Sequence, residues 1–182
     1  MADTTTRPSV GDHRLGEARA PHTLIEYGDL QCPDTALIEP DLEAFLIEHE
    51  ETVQFVFRHF PMTDAHPDAY AAAEAAEAAG AQGKFWEMRR LLVLGDPDHF
   101  DRAGLIDCAR ELKLDLARFE RDLDEHVFAG KIDADLLGAR RLGVEESPTF
   151  ILDDGAPVGG EGLFELLDEI EGFGLDEDEG SE

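Results

Sequence analysis

Hydrophobic and polar positions divide the chain into stretches of two periods. Thr23-Leu24-Ile25-Glu26-Tyr27 and Thr52-Val53-Gln54-Phe55-Val56-Phe57 are short and rich in β-branched and aromatic residues, the composition of strands. Between them Leu37, Ile38, Leu42, Phe45 and Leu46 recur at helical steps. Together these predict a βαβ unit. A right-handed crossover makes its strands parallel and brings their C-terminal ends to one edge of the sheet. The segment Gly28-Asp29-Leu30-Gln31-Cys32 leaves the first strand and Arg58-His59-Phe60-Pro61 leaves the second, so the two are expected to meet at that edge.

From His66 onward the period changes. His66-Pro67-Asp68 opens an alanine-rich helix, 69–81, that Gly83 can terminate, and a second amphipathic helix covers 84–92. After Gly95-Asp96-Pro97-Asp98, helices are predicted at 102–112, 115–123 and 125–142. The run Ala71 to Ala79 suits close helix packing, and Phe85 and Trp86, spaced with Leu91 and Leu92, read as core rather than a ligand platform. Strands return with Pro148-Thr149-Phe150-Ile151-Leu152, a turn at 153–155 and Ala156-Pro157-Val158, before a final helix at 163–172. Residues 1–20 lack an apolar period and read as a loose arm, while Asp176-Glu177-Asp178-Glu179 makes 174–182 a disordered tail. The expected organisation is therefore an α/β core built from 21–61 and 143–173, interrupted by a helical insertion at 62–142. No internal repeat is visible.

Charge changes the picture of partners. The 182 residues include 43 Asp and Glu against 15 Lys and Arg, a net charge of -28. Nucleic acid and anionic membrane are poor partners for such a surface. Basic substrates are one reading of the acidity. The other is a solvated surface adapted to concentrated salt, where the Debye length falls to about 3 Å at 1 M. The carboxylates are spread along the whole chain, which favours the salt reading. No stretch has the apolar length of a membrane span, and Met1 to Asp12 lacks the apolar centre of a secretory signal, so a cytoplasmic location is expected. The seven histidines are scattered and Gly159-Gly160 lacks the continuation of a phosphate loop, so neither a metal nor an organic cofactor is expected.

Candidate chemistry centres on Cys32-Pro33-Asp34-Thr35. Proline is favoured at the first helical position, which puts Cys32 at the helix N-cap. There the unpaired N–H groups and dipole favour an anion, so a solvent-exposed, readily ionised thiol is expected. Asp34 opposes ionisation, whereas the Thr35 hydroxyl is placed to donate to the thiolate. His59 has two readings, a proton-bearing partner of Cys32 or a structural histidine at a strand end. His66 fixes the start of the alanine helix. Asp29 and Asp34 flank the thiol, but in so acidic a chain nothing singles them out as an acid/base pair. Cys108, on a face with Leu105, Ala109 and Leu112, reads as core packing.

Several of these stretches, in this order, resemble the DsbA-like branch of the thioredoxin-fold oxidoreductases. They are Leu24-Ile25-Glu26-Tyr27-Gly28-Asp29, Gln31-Cys32-Pro33, Phe57-Arg58-His59-Phe60-Pro61, His66-Pro67, Gln82-Gly83-Lys84-Phe85-Trp86-Glu87-Met88 and Ser147-Pro148-Thr149-Phe150. The resemblance implies a thioredoxin-like mixed sheet with an inserted helical subdomain. It also implies a cis-proline at Pro148 facing Cys32, with the strand after it antiparallel, so that Ser147 and Thr149 join the site. The family's active site is Cys-Pro-aromatic-Cys, and here Thr35 stands where the second, resolving cysteine would be. What the resemblance implies is thus single-cysteine exchange with protein or small-molecule disulfides, resolved by an external low-molecular-weight thiol. The alternative is a noncatalytic module that holds an extended peptide or a partner protein in the same groove.

Overall fold

In the computed structural model, residues 6–176 are described, with side chains of the last helix described as far as 172. Five strands form one mixed sheet: β1 (His13–Leu15), β2 (His22–Gly28), β3 (Val53–His59), β4 (Thr149–Leu152) and β5 (Val158–Gly159), in the order β1-β3-β2-β4-β5. Strands β2 and β3 run parallel, pairing Leu24 with Phe55 and Gly28 with His59. They flank helix α1 (Pro33–Glu48), the βαβ unit expected from the pattern. Strand β4 runs antiparallel to β2, pairing Tyr27 with Thr149, and β5 folds back on β4. Helices α2 (Ala69–Gly80), α3 (Phe85–Leu94), α4 (Arg102–Glu111), α5 (Leu116–Asp124) and α6 (Ala129–Leu142) follow β3, and α7 (Leu163–Asp176) ends the described chain. No helix among the described residues is long and apolar enough to cross a membrane.

The central strands are buried on both faces, as the crossover helix demands. On one face Leu24, Phe55, Phe57 and Phe150 pack against Ile38, Leu42 and Phe45 of α1 and Leu163 and Leu167 of α7. That core continues without a break into Ala72, Ala76 and Ala79 of α2, Met88 and Leu92 of α3, and Phe119 of α5. The opposite face, with Ile25, Tyr27, Val56 and Ile151, is covered by Ala139 and the partly buried Leu136 and Leu142 of α6. The inserted helices of 62–142 share this core with the sheet. Helices α3 and α6 pack on the sheet, and small alanine side chains let α2 approach closely.

Three local expectations differ. Residues 13–15, expected within a loose arm, form β1 and pair antiparallel with β3. Asp12 and His13 carry the anchoring: Asp12 accepts from Arg58, and His13 Nε2 lies 2.9 Å from Glu77 Oε1. A three-residue strand is too short to print a period-2 pattern. The helix expected from 125 starts at Ala129, because His126 adopts a left-handed φ of 49° that interrupts it. The tail expected at 174–182 is helical as far as Asp176, and its remainder lies outside the described residues.

Candidate active site

Cys32 caps α1 with extended backbone, Pro33 occupies the first helical position, and no side chain caps the helix in its place. The chain reaches Cys32 through a tight turn in which Cys32 N–H donates to the Asp29 carbonyl at 3.1 Å. Opposite it the Ser147-Pro148 peptide bond is cis, the geometry implied by the resemblance. The Cys32 thiol donates to the Ser147 carbonyl at 3.3 Å. Ser147 also accepts the Asp29 N–H through its hydroxyl at 2.7 Å. Thr149 closes its own side of the loop, donating to the Glu146 carbonyl at 2.8 Å. One residue thus ties the cysteine loop to the proline loop from two directions.

Two glycines make the proline loop possible. Gly143 ends α6 at φ 81°, a left-handed conformation in which Val144 N–H reaches back to the Ala139 carbonyl. At Gly160 the requirement is close approach, since a Cβ there would lie 2.9 Å from Pro148 Cγ. Beside this contact a groove of about 460 Å³ runs between α1, the proline loop and α7, lined by Asp34, Leu37, Ile38, Ser147, Pro148 and Phe164 among others.

Two expectations for the thiol fail. Cys32 is only 5% exposed, not open to solvent, because the Ser147-Pro148 loop folds across it and its sulfur already has a carbonyl partner. A helix N-terminus fixes the backbone beneath a thiol; it says nothing of what packs above. Thr35 is fully buried and its hydroxyl has no hydrogen-bond partner among the described residues, so the expected bond to the sulfur is not made.

His59 is brought to the same sheet edge by its pairing with Gly28, yet its ring turns to other partners. Its Nε2 lies 2.9 Å from Glu77 Oε1, the same oxygen that pairs with His13, while the His59 backbone N–H donates to Asp135. Burial works to raise Glu77, but the His13 and His59 hydrogen bonds outweigh it and hold the carboxyl well below its usual range. His59 therefore joins a buried network that fixes β1 and α2 to β3.

Asp29 is the residue that sequence reasoning passed over. It is 1% exposed. Its carboxylate accepts from Gln31 N–H at 2.8 Å, Met62 N–H at 2.8 Å and His66 Nδ1 at 2.7 Å, while its own N–H meets Ser147. Gln31 and Asp68 exchange side-chain and backbone bonds next to it. The cysteine loop, the segment after β3 and the start of α2 are all held by this one carboxylate.

A second buried group lies under α1. Arg89 donates to Glu26 at 2.7 Å and to both oxygens of Glu39, one of them at 2.8 Å, and its guanidinium sits 4.8 Å from the Phe57 ring centroid. Burial pushes Glu26 up to about 7, against the pull of Arg89 and with a further push from Glu39. Arg89 is held above its ordinary value although burial opposes this, because two carboxylates face it. The sequence signal was present: Glu26 sits in a strand whose neighbours Leu24, Ile25 and Tyr27 are apolar, and Arg89 shares a helical face with Phe85 and Leu92. Among the described residues no three His, Cys, Asp or Glu side chains converge so as to hold a metal ion.

Comparison with known proteins agrees with this architecture. The family model described as Thioredoxin matches residues 8–165. Among solved structures, oxidised BdbD from Bacillus subtilis superposes with a TM-score of 0.78 at 23% identity, covering 90% of this chain and 94% of that one. A thioredoxin-like oxidoreductase from Silicibacter pomeroyi DSS-3 gives 0.74 at 24% identity with the same coverage. DsbA2 from Pseudomonas aeruginosa gives 0.64 at 26% identity, covering 84% of this chain and 87% of that one. Among curated sequences, the Na(+)/H(+) antiporter NhaA 3 of Salinispora tropica is 43% identical over 142 residues, 78% of this chain but 22% of that protein. NhaA 1 of Mycobacterium sp. strain KMS is 32% identical over 144 residues, with similar coverage. The chain thus spans about a fifth of the length of these curated relatives. With the mixed sheet, the Cys32 helix and the cis-proline loop in place, and with a fold shared with these oxidoreductase structures, the chain belongs to the thioredoxin family.

Proposed function

We propose that the protein is a thiol:disulfide exchange catalyst that works with one cysteine. The observation that carries this reading is the placement of Cys32 Sγ at a helix N-cap, 3.3 Å from the carbonyl that precedes cis-Pro148, with an open groove alongside. The Cys32 thiolate attacks one sulfur of a substrate disulfide. The Sγ–S bond forms as the substrate S–S bond breaks, and the electron pair leaves on the departing thiolate. An external thiolate then attacks the mixed disulfide, returns Cys32 to its thiolate and carries away the substrate half as a new disulfide. Sulfur redox equivalents balance over the two steps, so the outcome is exchange; where a thiolate of the substrate itself makes the second attack, it is isomerisation. When a second equivalent of the external thiol attacks the new disulfide, the substrate is reduced and the external thiol leaves as its own disulfide.

Within this scheme Pro148 and Ser147 position the substrate, and Pro33 and Asp34 shape the approach. Thr35 leaves the second step to a thiol from solution, because a hydroxyl cannot attack a disulfide sulfur productively. Attack also requires the Cys32 to Ser147 contact to open.

The buried state of Cys32 favours a second reading, a noncatalytic module whose groove holds an extended segment. Mass spectrometry of the full chain incubated with a glutathione mixed-disulfide peptide separates them. The catalytic reading requires an adduct at Cys32 that reduced glutathione discharges with turnover, and that Cys32→Ser abolishes. Peptide retention without any covalent species, unchanged in Cys32→Ser, would establish the module instead. Thr35→Cys is expected to convert the site to a dithiol, observed as an intramolecular disulfide.

A further inference from the structure

The groove near Cys32 combines uncompensated negative charge with exposed apolar side chains. Its rim carries Asp34, Glu146 and Glu161, all exposed, and its lining includes no Lys or Arg. None of the three has an ion-pair partner among the described residues. Several cations are engaged elsewhere: Arg58 with Asp12, Arg89 with Glu26 and Glu39, Arg90 with Glu43, Arg102 with Asp124 and Lys131 with Asp135. Between the carboxylates two large apolar side chains stand in solvent, Leu37 at 76% exposure on α1 and Phe164 at 49% on α7. A ligand that fits must cover these two while setting positive charge against three carboxylates.

Resting on the exchange reading above, we propose that this groove selects disulfides in extended peptide segments whose reacting cysteine is flanked by apolar and basic residues. Charge complementarity identifies the occupant. Cys32 attacks the peptide's cysteine sulfur, the S–S bond breaks, and the other sulfur departs with the electron pair as a thiolate. The flanking cations stay in the groove with the peptide half, set against its carboxylates, whereas an acidic peptide is repelled by them.

The test uses the full chain and glutathione mixed disulfides of three short peptides, with a central cysteine between Leu and Phe and with Lys, Ala or Glu at both outer positions. At 50 mM salt the Lys peptide is expected to form the Cys32 adduct at least about tenfold faster than the Glu peptide, and this ratio is expected to shrink in 1 M KCl. Glu146→Gln with Glu161→Gln, and Glu161→Gln alone in case Glu146 is needed for folding, are expected to bring the ratio toward one. Glu51→Gln with Glu111→Gln, exposed acids outside the groove, are expected to leave it in place. A wild-type ratio near one, or a ratio moved as far by Glu51 and Glu111, overturns the groove assignment while Cys32-dependent exchange still stands. If no peptide forms an adduct, the exchange reading falls. Fluorescence anisotropy of Cys-to-Ser peptides then decides the groove alone: tighter binding of the Lys form, lost with Glu161→Gln, upholds it, and equal binding of all three overturns it.

Discussion

The two cysteines of this chain are equally hidden, each 5% exposed, and they lie in opposite kinds of interior. Cys108 sits in the middle of α4 among Leu105, Ala109 and the rest of the helical core. Burial pushes its thiol up, and the nearby Glu111 and Asp107 push it further. Cys32 stands at a helix terminus, its thiol against the carbonyl of the Ser147-Pro148 loop, which with Asp34 lines the nearby groove. Fractional exposure does not separate a core thiol from a poised one. What separates them is whether the cover is a packed core or one segment held by a few hydrogen bonds.

The largest effect should come from setting the two thiols against each other. With iodoacetamide at pH 8 under native conditions, Cys32 is expected to label at least about tenfold faster than Cys108, as read by peptide mapping. A bulkier maleimide should narrow the difference, because the proline loop must move further. Equal labelling rates would mean that both sulfurs are reached only through global unfolding, and the distinction would vanish.

Beneath the covered sulfur, Arg89→Met leaves Glu26 and Glu39 without their cation and is expected to cost about 3–5 kcal/mol in urea denaturation. The pH dependence has a definite sign. Glu26 is raised from 4.5 to about 7, so the folded state binds its proton more tightly than the unfolded chain. Its contribution is fully present below about 4.5 and is lost as pH rises toward 7. Glu26→Gln should flatten that part of the stability profile.

Asp29→Ala removes the acceptor shared by Gln31, Met62 and His66 and should destabilise the fold by about 2–3 kcal/mol. It should also accelerate labelling of Cys32 more than of Cys108, since the turn that carries Cys32 loses the carboxylate that pins it to the segment after β3 and the start of α2. The smallest effect is expected from Gly160→Ala, where a methyl group presses on Pro148. A cost of roughly 1 kcal/mol, with Cys32 labelling altered and Cys108 unchanged, would place the proline loop as the cover that matters.

Much of this architecture was legible because period and position agree. The strands around Leu24 and Phe55, the helix behind Pro33 and the alanine helix were visible as patterns, and the order of motifs led to Cys32 opposite Pro148. The buried charges were not. In a chain with 43 acids, nothing in the local sequence marks Asp29 as turned inward, and the apolar neighbours of Glu26 mark its burial without naming its partner. Their roles depend on donors supplied 33 to 63 residues away, by Met62, His66 and Arg89. Cys32 was misjudged as exposed for the same reason, since its cover arrives from Ser147, 115 residues further on. Local pattern places the backbone; long-range partners decide which side chains are wetted.

The two outer margins of the sheet are its shortest segments, three residues in β1 and two in β5. Each offers a neighbouring chain too little free backbone to extend the ribbon. At high ionic strength, where repulsion among its carboxylates is muted, that brevity protects the chain from stacking at the moment when charge no longer does.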